Sequence, residues 1–379
     1  MRIALFDYRV IPTNPVGSCH LRMLAGLCDL HDFTVFAVEF QNPRPDRIRW
    51  VRIPLPVRPY VLLYALFHLA APLAYLWHRF LRGAQFDLVQ MVESNLSFGD
   101  ISYSHFCHRW YLAEHWRETR ARGLLGLSRG LAHRAAAAME PAVYRRVRRI
   151  VAPSRGLVSE LRQTYHLDGS RIRILPNAVD VERLAPPDPS LREQYRQRLG
   201  YATTDFVLLF AALGHFERKG LPLAMDALRD AASSVQLLVA GGEAATIREH
   251  QERARALGVD GRVRFAGMQR DLRPYYWAAD AFILPSCYEV FPLVALEAAA
   301  AGLPLLVTKV NGVEEILLDG ENGVAIERDS ASIRRAIGRL TNMALADRQH
   351  MGARAREAVL RYGSDHFVSA WKEFYECMA

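Results

Sequence analysis

The sequence predicts an α/β protein built as two doubly wound, Rossmann-like halves. Three observations predict it. At 379 residues the chain is too long for one ordinary hydrophobic core. Short apolar runs alternate with helical stretches from end to end, which is the pattern of parallel sheets covered on both faces. The alternation comes as two series, with a proline-rich polar stretch between them. Hydrophobic residues at 51% and charged residues at 23% exclude a disordered or fibrous chain.

In the first series strands are expected at Arg2–Tyr8, Phe33–Phe40, Ile48–Pro54, Phe86–Val92, Ile101–Phe106, Arg149–Ala152 and Arg171–Leu175. In the second they fall at Phe206–Ala212, Val235–Ala240, Val263–Phe265, Ala281–Leu284, Leu305–Thr308 and Gly323–Ile326. The first domain then covers residues 1–176 and the second residues 177–361, with the polar stretch APPDPSLREQ, residues 185–194, as the junction. Ligands of such sheets sit off the carboxyl ends of the strands.

The 5 cysteines are scattered and form no CxxC pair, which argues against a disulfide framework and against structural zinc. MRIALFDYRV reads as a strand rather than a secretion signal. Together these point to a reducing cytosol. Charge is uneven: residues 1–176 hold 24 Arg and no Lys against 13 acidic residues, while the rest of the chain is slightly acidic. A basic half suits an anionic membrane or phosphorylated acceptor, or is simply a solvated face written in arginine. Nothing resembles a nucleic-acid motif with stacking aromatics. The uncharged run Tyr60–Trp77 is long enough to span a bilayer, yet it stands where a crossover helix is required. It reads as a helix or helical hairpin buried or half-buried in the first domain, with contact to a bilayer surface as the alternative.

Two motifs carry chemistry. In PSCYEVFPLVALEAAAAGLPLLVT, residues 285–308, a strand gives way to a loop with Glu289 and then to a helix starting near Phe291–Pro292. The free N–H groups of its first turn, from Phe291 to Leu293, suit a diphosphate. Glu297 follows eight positions after Glu289. Helical rise puts the two carboxylates about 12 Å apart, the span of a nucleotide sugar from hexose to ribose. Two glutamates on an alanine-rich helix are also commonly just solvated. In GHFERKGLPLAMDAL, residues 214–228, Arg218 and Lys219 sit in a strand-to-helix loop, where cations can neutralise a leaving diphosphate without a metal. A solvent-exposed helix start is the plain alternative. No GxGxxG follows a strand, which excludes a redox dinucleotide site.

Glu289 to Glu297, the RKG of Arg218–Gly220 and the PNAVD of Pro176–Asp180 occur in an order and spacing that resembles the family-4 retaining glycosyltransferases of GT-B fold. That family includes lipopolysaccharide-core glucosyltransferases and phosphatidylinositol mannosyltransferases. The resemblance implies two facing Rossmann-like domains with an inter-domain cleft, a last helix at residues 362–379 returning to the first domain, no cofactor and no metal. Arg218 and Lys219 would hold the diphosphate, Glu297 the ribose, and Glu289 with the backbone of Phe291, Pro292 and Leu293 the sugar and phosphate. Gly17 in NPVGSCH stands for the family's glycine-rich loop, with Ser18 where a second glycine is usual. A His or Asp facing the reacting centre falls in SFGDISYSHFCHRW: His105 fits best, with Asp100 and His108 as rivals. Ala178 replaces a glycine in PNAVD, and His215 replaces an arginine. The donor base is expected against the loop around Met268.

The implied reaction moves a hexose, UDP-glucose before GDP-mannose as donor, to a glycan or lipid-linked acceptor in envelope polysaccharide or lipopolysaccharide synthesis. A nucleotide-sugar 2-epimerase and a non-catalytic nucleotide-sugar-binding protein are the rival readings. The place of action would be the cytoplasm, or peripherally the inner face of the cell membrane.

Overall fold

The computed structural model describes residues 1–119 and 123–378. The chain divides into one compact unit of residues 1–178 and 364–379 and a second of residues 179–363.

Among the described residues the first unit is built on a seven-stranded sheet in the order Arg49–Arg52, Asp32–Ala37, Arg2–Phe6, Leu88–Val92, Ile101–Tyr103, Arg149–Ala152, Ile172–Ile174. All its ladders are parallel. The central strands are continuous apolar runs, as burial on both faces demands: Ile3 to Phe6 and Leu88 to Val92 are buried throughout. The second unit carries a six-stranded parallel sheet, Val263–Gly267, Val235–Ala240, Phe206–Ala211, Ala281–Leu284, Leu305–Thr308, Gly323–Ile326. Strand reversal at the middle of each sheet leaves a crevice at the carboxyl ends, the usual ligand position of such folds.

Two expectations need correction. The strand expected over Ile101–Phe106 stops at Tyr103, so His105 lies in the loop beyond it. The polar stretch read as a junction lies inside the second unit. Pro189–Arg198 is a helix whose N-cap, Asp188, accepts from Ser190 N at 2.8 Å. Arg196 is buried there, and its two terminal nitrogens donate to Ala278 O at 2.9 Å, Ala202 O at 2.9 Å, Asp205 O at 2.7 Å and Asp280 Oδ2 at 3.0 Å. A guanidinium so held is part of a folded unit, not a linker.

Tyr60–Leu76 forms the crossover helix, continued by a π-helical turn at Trp77–Leu81. Leu63, Phe67, Ala71 and Tyr75, at i+4 spacing, are buried on the first sheet. Phe67 meets Tyr8 edge-on at 4.8 Å, and Tyr75 meets Phe6 at 6.0 Å.

The last helix, Ser364–Glu376, completes the first unit's core with Phe367, Trp371, Phe374 and Tyr375. Tyr375 Oη donates to the buried Gln90 Oε1 at 2.7 Å. Ala379 lies outside the described residues.

Candidate active site

The second unit gathers its motifs at the carboxyl ends of three neighbouring strands. After Phe206–Ala211 the chain makes a loop and a helical turn, Phe216–Lys219. His215, where the family has arginine, enters that turn at φ 57. Gly220 follows at φ 80, and a Cβ there would stand 2.2 Å from Pro285 O. Only glycine permits so close an approach in that conformation. The approach presses the Arg218–Lys219 turn onto the loop that follows Ala281–Leu284. Cys287 N then donates to Arg218 O at 3.0 Å, and the Arg218 guanidinium donates to Tyr288 O.

Glu289 is the centre of this contact. Its Oε1 accepts from Lys219 Nζ at 2.7 Å and from Ser286 Oγ at 2.9 Å, with Arg218 Nη1 at 3.7 Å. Ser286 is fixed in turn because its carbonyl accepts from Thr308 Oγ1 at 2.5 Å. Burial alone would raise the Glu289 carboxyl. The charges of Lys219 and Arg218 and the two hydrogen bonds outweigh it and hold the group below the usual carboxylate range. Burial pulls the Lys219 ammonium down, partly offset by Glu289. Arg218, Lys219 and Glu289 together keep one net positive charge. All three contacts fall on Oε1.

Pro292 is the N-cap rather than the first helical residue, and the helix runs Leu293–Ala300. Ala295 and Leu296 both donate to Pro292 O, so the N–H groups of Leu293 and Val294 precede the helical ladder. Phe291 is buried and meets Tyr362 edge-on at 5.6 Å, which fixes the backbone before the cap. One turn into the helix Glu297 is half-buried, and its Oε2 accepts from Tyr276 Oη at 2.8 Å. Met268 is exposed just past the strand Val263–Gly267. The second unit also holds a cavity of about 440 Å³ lined by Pro187, Trp277, Asp280 and Arg348. It lies at the amino ends of the strands, takes in Ala301–Pro304 at the far end of the motif, and includes none of Arg218, Lys219, Glu289 and Glu297.

In the first unit the three rivals separate. Asp100 lies at the amino end of Ile101–Tyr103, where its Oδ2 accepts from Val89 N at 2.9 Å. It ties a loop and cannot share the carboxyl edge with His105. His108 is buried at a helix start, with Nε2 3.2 Å from Glu93 Oε2 and Nδ1 2.8 Å from His133 Nδ1. Burial would lower it, but the hydrogen bond it donates to Glu93 and the charges of Glu140 and Glu93 raise it. His105 stays at the edge: Nε2 is 3.1 Å from Asn177 Oδ1, and Nδ1 is buried with no partner among the described residues. Burial pushes its pKa down to about 4, so the ring is neutral near pH 7. Asn177 Oδ1 also accepts from Tyr103 Oη at 2.8 Å. A carbonyl oxygen opposite Nε2 sets the proton there, leaving Nδ1 as an acceptor.

Gly17 is not in a free loop. It lies in the first turn of the helix Pro15–Leu27, and its N–H is taken by the cap Asn14 Oδ1 at 2.8 Å. A Cβ there would meet Arg9 O at 2.3 Å, so this glycine serves close packing of the helix on Arg9–Ile11. Sequence reasoning missed Asn177, Ser286, Thr308 and Tyr276. Asn177 left a signal inside PNAVD, and Ser286 and Thr308 stand inside the motif of residues 285–308; Tyr276 left none. It also missed Glu93, which sits at φ 50 at the end of Leu88–Val92, a conformation that costs a non-glycine residue.

Residues 17–183 match the family described as Glycosyltransferase Family 4, and residues 205–343 match Glycosyl transferases group 1. The chain belongs to the family-4 glycosyltransferases. The D-inositol 3-phosphate glycosyltransferase of Xylanimonas cellulosilytica is 34% identical over 238 residues, 60% of this chain and 56% of the relative. The mannosylfructose-phosphate synthase of Agrobacterium fabrum is 30% identical over 195 residues, 48% of this chain and 42% of the relative. The chain spans about half the length of the curated relatives it matches. Among solved structures, WaaG, a glycosyltransferase involved in lipopolysaccharide biosynthesis, is similar with a TM-score of 0.77 and 19% identity, over 98% of this chain and 99% of that one. Anabaena HepE in complex with UDP and glucose gives 0.75 and 19%, over 99% of each chain. The family-4 chain therefore has the GT-B fold.

Proposed function

We propose that this family-4 protein is a retaining hexosyltransferase that takes its sugar from a nucleotide diphosphate donor. The observation that carries this reading is the contact forced by Gly220, which presses Arg218 and Lys219 onto the Glu289 loop ahead of the helix Leu293–Ala300. A net positive charge beside unladdered N–H groups suits a diphosphate. In the reaction, Arg218, Lys219 and the N–H groups of Leu293 and Val294 take up the charge of the departing diphosphate. Glu289 Oε2 holds a sugar hydroxyl and offsets positive charge at the anomeric carbon. Glu297 binds the ribose, oriented by Tyr276. His105 accepts a hydrogen bond at Nδ1. The acceptor hydroxyl attacks from the face that the diphosphate leaves, and the leaving phosphate takes its proton. No covalent nucleophile and no metal enter these steps.

UDP-glucose is the favoured donor, in keeping with the HepE structures in complex with UDP and UDP-glucose, and GDP-mannose is next. The acceptor is a glycan or lipid-linked glycan of the cell envelope, and the place of action is the cytoplasm. A panel of UDP-, GDP-, ADP- and dTDP-sugars, run with and without Mg²⁺, tests the reading by thermal shift and nucleotide release. Stabilisation by one donor with slow, metal-independent release of its diphosphate is expected. Release of a 2-epimer would return the protein to the epimerases. Binding without turnover in the presence of acceptor glycans would make it a binding protein.

A further inference from the structure

The helix Tyr60–Leu76 and its π-helical extension have a second face that the first unit does not use. Leu62, Leu69, Leu73, Leu76 and Phe80 follow one another at steps of seven, four, three and four, which draws a single stripe along the helix. They are exposed, Leu69 at 66%, Leu73 at 67% and Phe80 at 71%. Trp77 and Leu81 widen the stripe at its end, Leu81 with 68% of its surface in solvent. The helix Gly123–Arg146, which packs against this one, adds Leu127 and Leu131, both exposed and one turn apart. Soluble domains rarely leave so long an apolar row uncovered.

We infer that this face docks the protein on an anionic bilayer, with the helix lying in the plane of the interface. Four features select that occupant. The 22 residues span about 33 Å and are apolar enough to cross a membrane, yet Phe67 and Tyr75 hold the opposite face on Tyr8 and Phe6, so the helix cannot leave the sheet to cross. Trp77 and Phe80 close the row, and these are side chains that seat at headgroup depth. Arg79 and Arg82 are exposed in the same turns as the apolar row; the Arg79 guanidinium lies 5.7 Å from the centre of the Phe80 ring and donates to Tyr75 Oη at 3.1 Å, and side chains of this length can turn their charge to lipid phosphate. Finally, the half of the chain that bears the helix holds 24 Arg against 13 acidic residues, so the field around it is positive. A protein partner of ordinary charge gains nothing from that field, whereas an anionic membrane does.

The test is sedimentation of the full chain with vesicles of phosphatidylcholine alone and of phosphatidylcholine with phosphatidylglycerol, at low and at physiological salt. Two double variants are compared with the unchanged protein: Leu73→Ser with Phe80→Ser, and Arg79→Gln with Arg82→Gln. All four positions are exposed, and unchanged melting curves confirm that the variants fold. Binding to the anionic vesicles, weakened about tenfold or more in the serine pair and about tenfold in the glutamine pair, supports the inference. Absence of binding overturns it, and so does serine-pair binding equal to that of the unchanged protein. Self-association that the serine pair abolishes, without vesicle binding, overturns it in favour of a second copy of this chain. Donor-dependent nucleotide release, measured in parallel without lipid, reports the second unit's site. It keeps a failure of this inference distinct from a failure of the transferase reading.

Discussion

The two sheets end differently. The carboxyl edge of the second is charged: Glu289 is buried against the half-buried Lys219 and Arg218, which hold its Oε1. At the edge of the first, beside the carboxylates of Asp7 and Glu93, stands a neutral group: His105 is uncharged near pH 7, and its Nδ1 is buried without a partner among the described residues, as is Tyr8 Oη. A diphosphate with fixed charge needs fixed counter-charge, and a preorganised cluster loses little on binding it. A sugar or acceptor hydroxyl needs a lone pair at the right place, and an orphan atom supplies one that only a ligand can satisfy.

Removing Glu289 breaks that comparison most severely. Glu289→Ala strands Lys219 in a buried site, so the second unit should lose about 3–5 kcal/mol, and transfer should fall about a thousandfold. Replacing both members, Lys219→Met with Glu289→Leu, should restore most of the stability and none of the transfer. Urea unfolding beside donor turnover reads both. Equal stability of the single and double variants would show that the pair is not energetically coupled.

A smaller effect sharpens the neutral side. With its pKa at about 4, His105 stays unprotonated in the folded chain between pH 4 and its unfolded value of about 6.5. The unfolded chain takes up the proton in that window, so stability falls as pH drops from about 6.5 towards 4. His105→Asn should remove this dependence, a change of about 7–14 °C across the window in a melting series. A pH profile identical in the variant would place His105 in solvent instead.

Least is expected of Asp100. Asp100→Ala loses the bond to Val89 N, about 1 kcal/mol, and should leave turnover within about twofold, because no reacting group stands at that end of the strands. A large loss of turnover with stability intact would put the first sheet's working edge in the wrong place.

Legibility followed the same divide. Phe206–Ala211 and Val235–Ala240 were readable because strands buried on both faces must be continuous apolar runs. Arg218, Lys219 and Glu289 were readable because charged residues in strand-to-helix loops have few structural reasons to be there. The proton position of His105 was not, since it depends on Asn177, 72 positions away. The place of Gly17 in the first turn of a helix was not readable, because a glycine in a tight helix approach looks the same in sequence as one in a loop. The proline-rich stretch was misread because Pro and Asp also start helices, as Asp188 and Pro189 do.

The helix Ser364–Glu376 has a consequence for the order of events during synthesis. Residues 179–363 are contiguous, so the second unit is complete before the last helix is translated. The first unit, although begun first, lacks Trp371 and Tyr375 from its core until the whole second unit has been translated. A nascent chain arrested before residue 371 would carry a finished donor half and an open first half, whose apolar sheet face is then a natural station for chaperones.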